Sequence, residues 1–202
     1  MTMTRKEAAS YSVSEGLRDG RKVVIRSIRP NDRDQLAGQL KELSSESFYR
    51  RTFSPKRELS GGELKQMTEV DFENIVALVA VMHEDGHDRI VGGGRYLRMG
   101  DALSRNAEVA FLVNDAHQGL GIGSRIFRHL VAIALASGIA IFEAEVLPSN
   151  EAMLRLFDRS GLPATRTVER DAVHVTIELT ASEQGEKKAA GHELPITSGG
   201  KQ

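Results

Sequence analysis

The sequence of 202 residues has no cysteine and almost no net charge. Without cysteine the protein has no disulfide framework, no thiolate nucleophile and no zinc–thiolate site, which is typical of proteins in a reducing compartment. The formal net charge of −1 and the pI near 6.6 provide no overall basic field that would attract nucleic acid or an anionic membrane. We therefore expect neither nucleic acid nor a membrane among its partners.

Long apolar segments are also absent. No run approaches the roughly 18 apolar residues of a membrane-spanning helix, and residues 1–14 lack the apolar core of a signal peptide. These observations predict a soluble, cytoplasmic protein. The 40% hydrophobic and 27% charged content fits one globular domain. We expect a flexible lead-in at 1–20, the folded domain at 21–181, and a disordered tail at 182–202.

The first half of the domain shows strand and helix patterns in turn. Residues 23–29 are mostly β-branched and predict a strand. Two short helices follow, and the second begins at a Ser-x-x-Glu capping box. Two apolar runs at 75–82 and 89–97 are then joined by a turn that contains Asp85-Gly86, a hairpin signal. The pattern predicts an antiparallel strand pair.

The second half of the domain predicts a βαβ unit. A strand at about 107–113, a helix at about 121–137 and a strand at 139–147 follow one another. A crossover of this kind joins parallel strands. A further short helix and two more strands, at about 164–169 and 173–179, complete the domain.

The stretch at 108–124 combines a buried strand with a glycine-rich helix start. Its glycines are Gly119, Gly121 and Gly123. Glycine lets the backbone approach a ligand closely, and the free amides of a first helical turn, together with the helix dipole, favour a diphosphate. This stretch therefore predicts a phosphate-binding site.

Two well-known phosphate sites fit the glycines poorly. A P-loop requires a lysine directly after its last glycine, whereas Gly123 is followed by Ser124 and Arg125. A dinucleotide fingerprint requires Gly or Ala three residues after its second glycine, where Ser124 stands, although Glu143 and Glu145 lie near the distance suited to a ribose contact. The P-loop is excluded. A dinucleotide site, and a glycine-rich helix start without a ligand, stay open.

A possible metal signature lies in the hairpin. The string His83-Glu84-Asp85-Gly86-His87 matches the zinc-protease pattern His-Glu-x-x-His. That pattern requires both histidines on one face of a helix, whereas Asp-Gly after a β-branched run predicts a turn. We interpret the string as a solvated hairpin tip and expect no metal.

The segment from Gln118 to Gly123 resembles the coenzyme A pyrophosphate loop of the GNAT N-acetyltransferases. In that loop Gln or Arg and two further residues precede Gly, any residue, and Gly or Ala. The order of predicted elements is similar to that of the family over about residues 22–180. The resemblance implies a GNAT-like α/β (α+β) fold: a mixed, mostly antiparallel seven-stranded sheet with a parallel pair formed by the fourth and fifth strands, and about four helices.

Further segments resemble the acetyltransferase domain of bacterial Pat-type protein lysine acetyltransferases. They are residues 47–53, Ile90-Val91-Gly92, Arg95-Tyr96 and residues 107–110. The likeness implies acetyl-CoA as cosubstrate and protein lysine as acceptor. In some of these proteins the domain is fused to a nucleotide-sensing or acyl-CoA synthetase-like domain, for which we find no room in this sequence. We therefore expect no regulation by a fused sensor.

The resemblance also implies roles for individual residues. Glu108, at the start of the fourth strand, corresponds to a glutamate that acts as general base, directly or through water, on an amine whose ordinary pKa is about 10.4. The alternative is a glutamate that is solvated or paired with Arg95. Arg125 would add positive charge beside the diphosphate. The implied coenzyme-binding residues are Leu112, Val113, Gln118, Gly119, Gly121, Ile122, Gly123, Ser124 and Asn150.

Within this set two kinds of contact are expected. The strand backbone at Leu112 and Val113 would hold the pantetheine arm and polarise the thioester carbonyl. Asn150 leads a helix similar to the one that lies along the pantetheine in the family, and it would hydrogen-bond the coenzyme or only cap its helix. Many family members carry on that helix a tyrosine that protonates the leaving thiolate, but this sequence has Phe157 at the matching position. A thiol with a pKa near 8.5 leaves without much help.

The sequence thus predicts an acetyl-CoA-dependent N-acetyltransferase that acts on protein lysine. A free amine or amino acid as acceptor, a non-catalytic acyl-CoA-sensing module and a dinucleotide-binding oxidoreductase are the alternatives. Substrate choice is expected in the first helices and in residues 44–60. Aromatic and basic residues there would line an acceptor groove or pack as core: Phe48, Tyr49, Arg50, Arg51 and Phe53.

Overall fold

The computed structural model describes residues 3–42, 59–169 and 171–179. In these ranges the chain forms five α-helices and one eight-stranded sheet. In chain order the elements are α1 (Arg5–Ala9), β1 (Ser12–Gly16), β2 (Lys22–Ser27), α2 (Arg33–Glu42), α3 (Gly61–Thr68), β3 (Ile75–Glu84), β4 (His87–Arg98), β5 (Asn106–Val113), α4 (Ile122–Ala136), β6 (Ile141–Val146), α5 (Glu151–Asp158), β7 (Ala164–Glu169) and β8 (Ala172–Glu178). None of the helices in this described part is long and apolar enough to cross a membrane.

The strands lie in the order β1-β2-β3-β4-β5-β6-β8-β7. β5 and β6 pair in parallel, and all other neighbouring strands pair antiparallel. This confirms the predicted α/β fold, with its mostly antiparallel sheet and one parallel pair. The predicted fourth and fifth strands are β5 and β6, because the sheet has eight strands rather than the seven expected.

The additional strand lies in the N-terminal segment. β1 pairs with β2 from Ser12 opposite Arg26 to Gly16 opposite Lys22, and α1 before it buries Ala8. The segment expected to be a flexible lead-in thus contains a helix and, at Ser12–Gly16, an edge strand of the sheet. The expected disordered tail at 182–202 lies outside the described residues.

The main core lies between the sheet and helices α4 and α5. Apolar residues recur along α4 at helical spacing, and those that face the sheet are Ile122, Ile126, Leu130 and Ile133. α4 can approach β4 closely because Gly94 has no side chain; a Cβ there would lie 2.7 Å from Cγ2 of Ile126. This contact fixes the helix whose N-terminus follows the glycine-rich loop.

Helices α2 and α3 pack on the opposite face of the sheet. Asp32 fixes the start of α2, because its two carboxylate oxygens each accept a hydrogen bond from Arg26 at 2.7 Å. Burial raises the pKa of Asp32, but the hydrogen bonds from Arg26 outweigh this effect and the pKa lies below its ordinary value. The helices are thereby held over the side of the sheet on which Glu108 lies.

Candidate active site

β5 and β6 separate after a short parallel ladder. The ladder joins residues 106–108 to residues 141–143, whereas the strands continue to Val113 and Val146, respectively. Each stays paired on its other side, β5 with β4 and β6 with β8. The sheet therefore opens into a V with its apex at Glu108, and beyond that residue the edge of β5 that faces β6 has no ladder partner.

A cavity of about 410 Å³ lies at the C-terminal end of β5, between the glycine-rich loop and α5. We call it the donor cavity. All nine residues suggested by the sequence for coenzyme binding line it: Leu112, Val113, Gln118, Gly119, Gly121, Ile122, Gly123, Ser124 and Asn150. The structure therefore brings the predicted set together, and its contact with a coenzyme remains a prediction.

The loop glycines have conformations and contacts that other residues would disturb. Gly119 and Gly121 have φ values of +80° and +82°, in the left-handed region that favours glycine. Gly121 is the N-cap of α4. A Cβ on Gly123 would lie 3.1 Å from Cδ1 of Leu156 on α5. The first-turn amides of α4, which have no partner within the helix, thus lie in the cavity wall and are suited to an anion.

Gln118 and Asn150 lie on opposite sides of the donor cavity, and the side chain of each makes hydrogen bonds within its own segment. Nε2 of Gln118 donates to Oδ1 of Asp115 at 2.9 Å and to the carbonyl oxygen of Val113 at 3.3 Å. Oδ1 of Asn150 accepts a hydrogen bond from the Met153 amide at 3.3 Å. Asn150 is therefore a helix cap and a cavity residue at once, so the two roles considered for it are compatible.

A second cavity, of about 460 Å³, lies between the sheet and helices α2 and α3. We call it the acceptor cavity. Glu108, Glu145 and Arg95 line it, and Gly93 of β4 contributes to its wall. Glu108 is exposed. Neither the Glu108 carboxylate nor the Arg95 guanidinium has a hydrogen-bond or ion-pair partner among the described residues, so the structure does not contain the Glu108–Arg95 pair considered from the sequence.

The two cavities meet at the open edge of β5. They share Phe111 and Leu112 of β5 and Met153 of α5. A donor that lies along β5 from the loop would therefore reach the wall where Glu108 stands. The aromatic and basic residues expected to line an acceptor groove lie outside the described residues: Phe48, Tyr49, Arg50, Arg51 and Phe53.

The guanidinium of Arg125, expected from the sequence to add charge beside the diphosphate, is held by groups of the protein. Its Nη1 donates to the carbonyl oxygen of Gly121 at 3.0 Å, its Nη2 donates to that of Gly16, and its Nε lies 3.1 Å from Oε2 of Glu15. The guanidinium is therefore engaged with β1 and with the helix cap. Because Glu15 lies in the N-terminal segment, sequence patterns near the loop could not reveal this partner.

Glu15 joins several groups of α4 to β1. Its Oε1 lies 2.5 Å from Nη2 of Arg128 and 2.8 Å from Nε2 of His129, and Nδ1 of His129 lies 2.5 Å from the Tyr11 hydroxyl. Burial raises the pKa of Glu15, but the hydrogen bonds from Arg128 and His129 outweigh it and the pKa lies below its ordinary value. Burial, with a contribution from Glu15, raises the pKa of Tyr11.

Phe157 belongs to the core and not to either cavity. Its side chain is 0% exposed and contacts the rings of Phe111 and Phe127 edge-on, at centroid distances of 5.7 and 5.5 Å. The described residues that line the donor cavity include no tyrosine. The departure from the family pattern at this position is thus accommodated by close aromatic packing.

The hairpin string is a turn and not a helix, as predicted. Asp85 and Gly86 have positive φ values of 50° and 80° between β3 and β4. His83 lies on β3, where its Nδ1 is 2.9 Å from Oδ1 of Asp88, and His87 pairs across the hairpin with Glu84. Within the described ranges no group of three or more His, Cys, Asp or Glu side chains could hold a metal ion.

Sequence reasoning missed several residues of the donor cavity, among them Arg18, Arg155 and Arg159. Arg18 lies in the turn between β1 and β2. Its neighbours Asp19-Gly20, between an alternating stretch and a β-branched run, are a hairpin signal that could have identified this turn. The α5 arginines follow Asn150 at positions that helical spacing places on one side of the helix.

The chain is similar to acetyltransferases in sequence. A family model described as the acetyltransferase (GNAT) family matches residues 39–162. The chain is 33% identical over 152 residues to the acetyltransferase PA5475 of Pseudomonas aeruginosa, a match that covers 75% of this chain and 81% of that protein. It is 35% identical over 145 residues to the acetyltransferase Pat of Mycolicibacterium smegmatis, covering 72% of this chain and 42% of Pat. The match thus spans less than half of Pat.

The fold is similar to a solved domain of the same kind. The crystal structure of the GNAT domain of S. lividans PAT matches with a TM-score of 0.75 and 35% sequence identity, over 83% of this chain and 96% of that domain. The fold, the glycine-rich loop at the end of β5 and these similarities all indicate the same family. The chain belongs to the GNAT family of acetyltransferases and is an N-acetyltransferase similar to the Pat-type enzymes.

Proposed function

We propose that the protein transfers the acetyl group of acetyl-CoA to a lysine ε-amine of a protein acceptor, with Glu108 as general base. The observation that carries this proposal is the position of Glu108 at the apex of the V, in the acceptor cavity, which shares Phe111 and Leu112 with the donor cavity. The choice of protein lysine rests on the resemblance to Pat-type lysine acetyltransferases.

In the proposed reaction the neutral amine attacks the thioester carbonyl carbon. A lysine ammonium has an ordinary pKa of about 10.4, so Glu108, directly or through a water, removes a proton from it near the thioester. Amides on the open edge of β5 near Leu112 and Val113 would stabilise the negative charge that develops on the carbonyl oxygen. The carbon–sulfur bond then breaks, the coenzyme leaves as a thiolate, and the nitrogen releases its second proton to solvent water, which gives the neutral amide.

The leaving group needs little assistance from the protein. The thiolate of a thiol with a pKa near 8.5 is a weaker base than an amine with a pKa of about 10.4, so it departs readily. This chemistry is compatible with the buried position of Phe157 and with a donor-cavity wall that has no tyrosine among the described residues.

The test is to measure release of free thiol from acetyl-CoA with a panel of protein and amine acceptors. Glu108→Gln should lower kcat by about 10²- to 10⁴-fold, the usual contribution of general base catalysis, and should leave the dissociation constant of CoA unchanged. Glu145→Gln is the matched control, because Glu145 also lines the acceptor cavity. Loss of turnover in Glu145→Gln alone would transfer the base role to that residue. CoA binding by the wild type without turnover of any acceptor would support the acyl-CoA-sensing alternative.

A free amino acid is the second candidate acceptor. Arg95 is half-buried in the acceptor cavity, and its guanidinium has no partner among the described residues. It therefore suits a carboxylate, which a guanidinium binds bidentately. Arg95→Ala should then raise KM for amino acids and leave KM for a protein acceptor unchanged. If no amino acid in the panel is acetylated, this candidate is rejected.

A further inference from the structure

We propose that Arg18, in the β1–β2 turn, binds the coenzyme diphosphate together with the loop amides. The inference rests on the proposed binding of acetyl-CoA and adds a residue that the family's loop pattern does not contain. Arg18 lines the donor cavity. Its Nε lies 3.9 Å from the position that a Cβ on Gly121 would occupy, which places the guanidinium beside the residue that caps α4.

The charge of Arg18 is available, whereas that of Arg125 is engaged. Arg18 is exposed and has no hydrogen-bond or ion-pair partner among the described residues. Arg125, the cation nearest in sequence to the loop amides, is bound to Glu15 and to the carbonyl oxygens of Gly16 and Gly121. Of the two guanidinium groups beside Gly121, the one available to a diphosphate is therefore that of Arg18 on the turn, rather than that of Arg125 on α4.

The turn that carries Arg18 is fixed in place before any ligand binds. The Leu17 amide donates to the carbonyl oxygen of Arg21 at 2.7 Å, and the Leu17 side chain is 6% exposed. Asp19 pairs with Arg21 at 2.7 Å, and Arg21 also pairs with Glu84 at 3.0 Å. A guanidinium on such a turn loses less conformational entropy on binding than one on a free segment.

Two links connect this turn to the coenzyme loop, one on each side of Arg18. On one side Oε1 of Glu84, which accepts from Arg21, also lies 3.0 Å from Nε2 of His117, directly before Gln118. On the other side Glu15 and Gly16 hold Arg125, whose Nη1 binds the Gly121 carbonyl oxygen. The turn and the loop therefore form one unit around the donor cavity.

The position beside Gly121 identifies the phosphate. The amides that follow Gly121 are the site suited to the diphosphate, so the neighbouring guanidinium would contact the same group and not the 3′-phosphate of the adenosine. The Arg159 side chain also has no partner among the described residues, but it lines the cavity from the end of α5, on the other side of the loop amides.

The experiment measures binding by calorimetry with three ligands: CoA, 3′-dephospho-CoA and pantetheine. Arg18→Ala should weaken CoA and 3′-dephospho-CoA by the same factor of about ten, the size expected for loss of a charge-assisted hydrogen bond at an exposed site. Pantetheine, which has no phosphate, should bind both proteins equally. Arg18→Lys should recover part of the affinity, because it keeps the charge but not the bidentate geometry.

The matched control is Arg105→Ala. Arg105 is exposed, directly precedes β5 and has no side-chain partner among the described residues. β5 places it about 26 Å from the loop at a rise of about 3.3 Å per residue, beyond the screening length of about 8–10 Å. CoA affinity should therefore be unchanged in this variant.

Three other outcomes would contradict the proposed role of Arg18, each in a different way. Unchanged CoA affinity in Arg18→Ala would overturn the inference while leaving the proposed function intact. Loss of affinity for CoA but not for 3′-dephospho-CoA would move Arg18 to the 3′-phosphate and refute the diphosphate assignment. A wild type that does not bind CoA would refute the proposed function and this inference with it.

Discussion

The substitution Gly94→Ala adds one methyl group at the contact between β4 and α4. The new Cβ would lie 2.7 Å from Cγ2 of Ile126, 3.0 Å from Cβ of Phe111 and 3.1 Å from Cδ1 of Leu130. Ile126 and Leu130 are 0% exposed, so they cannot turn away into solvent and α4 must move. Overpacking of this kind costs about 1–3 kcal/mol. The lower backbone entropy of unfolded alanine offsets about 0.4–1 kcal/mol, and we expect a net loss of about 1–2 kcal/mol.

The same change at Gly38 provides the control. Gly38 lies in α2, is exposed, and would have nothing within 4 Å of a new Cβ. Alanine is favoured over glycine by about 0.5–1 kcal/mol inside a helix. One chemical change should therefore lower stability at Gly94 and raise it at Gly38, which separates the effect of the contact from that of backbone entropy.

Urea unfolding followed by far-ultraviolet circular dichroism measures both effects. With a denaturant slope of about 1–3 kcal/mol per molar, the Gly94→Ala midpoint should fall by about 0.5–1 M, and the Gly38→Ala midpoint should rise. Gly94→Ala should also bind CoA more weakly, because α4 carries the glycine-rich loop at its N-terminus. A Gly94→Ala protein as stable as the wild type, with unchanged CoA affinity, would refute the proposed close packing and its link to the site.

Two further predictions concern the loop and its support. Gly121→Ala should weaken CoA binding, because alanine at φ +82° costs about 1–3 kcal/mol and its Cβ would lie 2.7 Å from Nη1 of Arg125, so the loop must change its conformation. Calorimetry measures the CoA affinity of this variant, and an unchanged affinity would contradict the prediction. Because the pKa of folded Glu15 lies below the unfolded value of about 4.3, its stabilisation is fully present above that pH and is lost as the pH falls through the folded pKa. The difference in urea midpoint between wild type and Glu15→Gln should shrink from pH 7 to pH 3. A constant difference would show that the ion pairs of Glu15 with Arg125 and Arg128 do not stabilise the fold.

Local patterns predicted the elements whose signals are contained in a few neighbouring residues. The Asp85-Gly86 turn requires positive φ values, which these residues adopt, and the hairpin follows from it. The glycines from Gly119 to Gly123 required a loop at a helix start, and the crossover at 107–147 required a parallel pair. In each case the physical constraint lies within the segment itself, so no distant partner was needed.

The features that were not predicted depend on distant partners. β1 has only five residues, with half-buried positions at Val13 and Glu15, which is too short an alternation to distinguish from a polar lead-in. Missing β1 also concealed Glu15 and Arg18, so the engagement of Arg125 and the free guanidinium at the cavity could not be anticipated. The burial of Phe157 follows from a local pattern, because it shares the apolar face of α5 with Met153 and Leu154.

The open edge of β5, rather than the glycines, distinguishes a coenzyme A site from a dinucleotide site. Glu108 and Val113 are five residues apart on an extended strand, so about 16 Å at a rise of about 3.3 Å per residue separate the apex of the V from the loop. A dinucleotide held at its diphosphate would leave that edge without a hydrogen-bonding partner, and its fingerprint belongs to a parallel sheet with helices on both faces. Here the sheet is mostly antiparallel, and β5 separates from β6 where an extended acyl-carrying arm can replace the missing strand. Strand pairing therefore argues against the dinucleotide alternative left open by the glycine pattern, and under the proposed function Glu108 would lie at the acyl end of that arm.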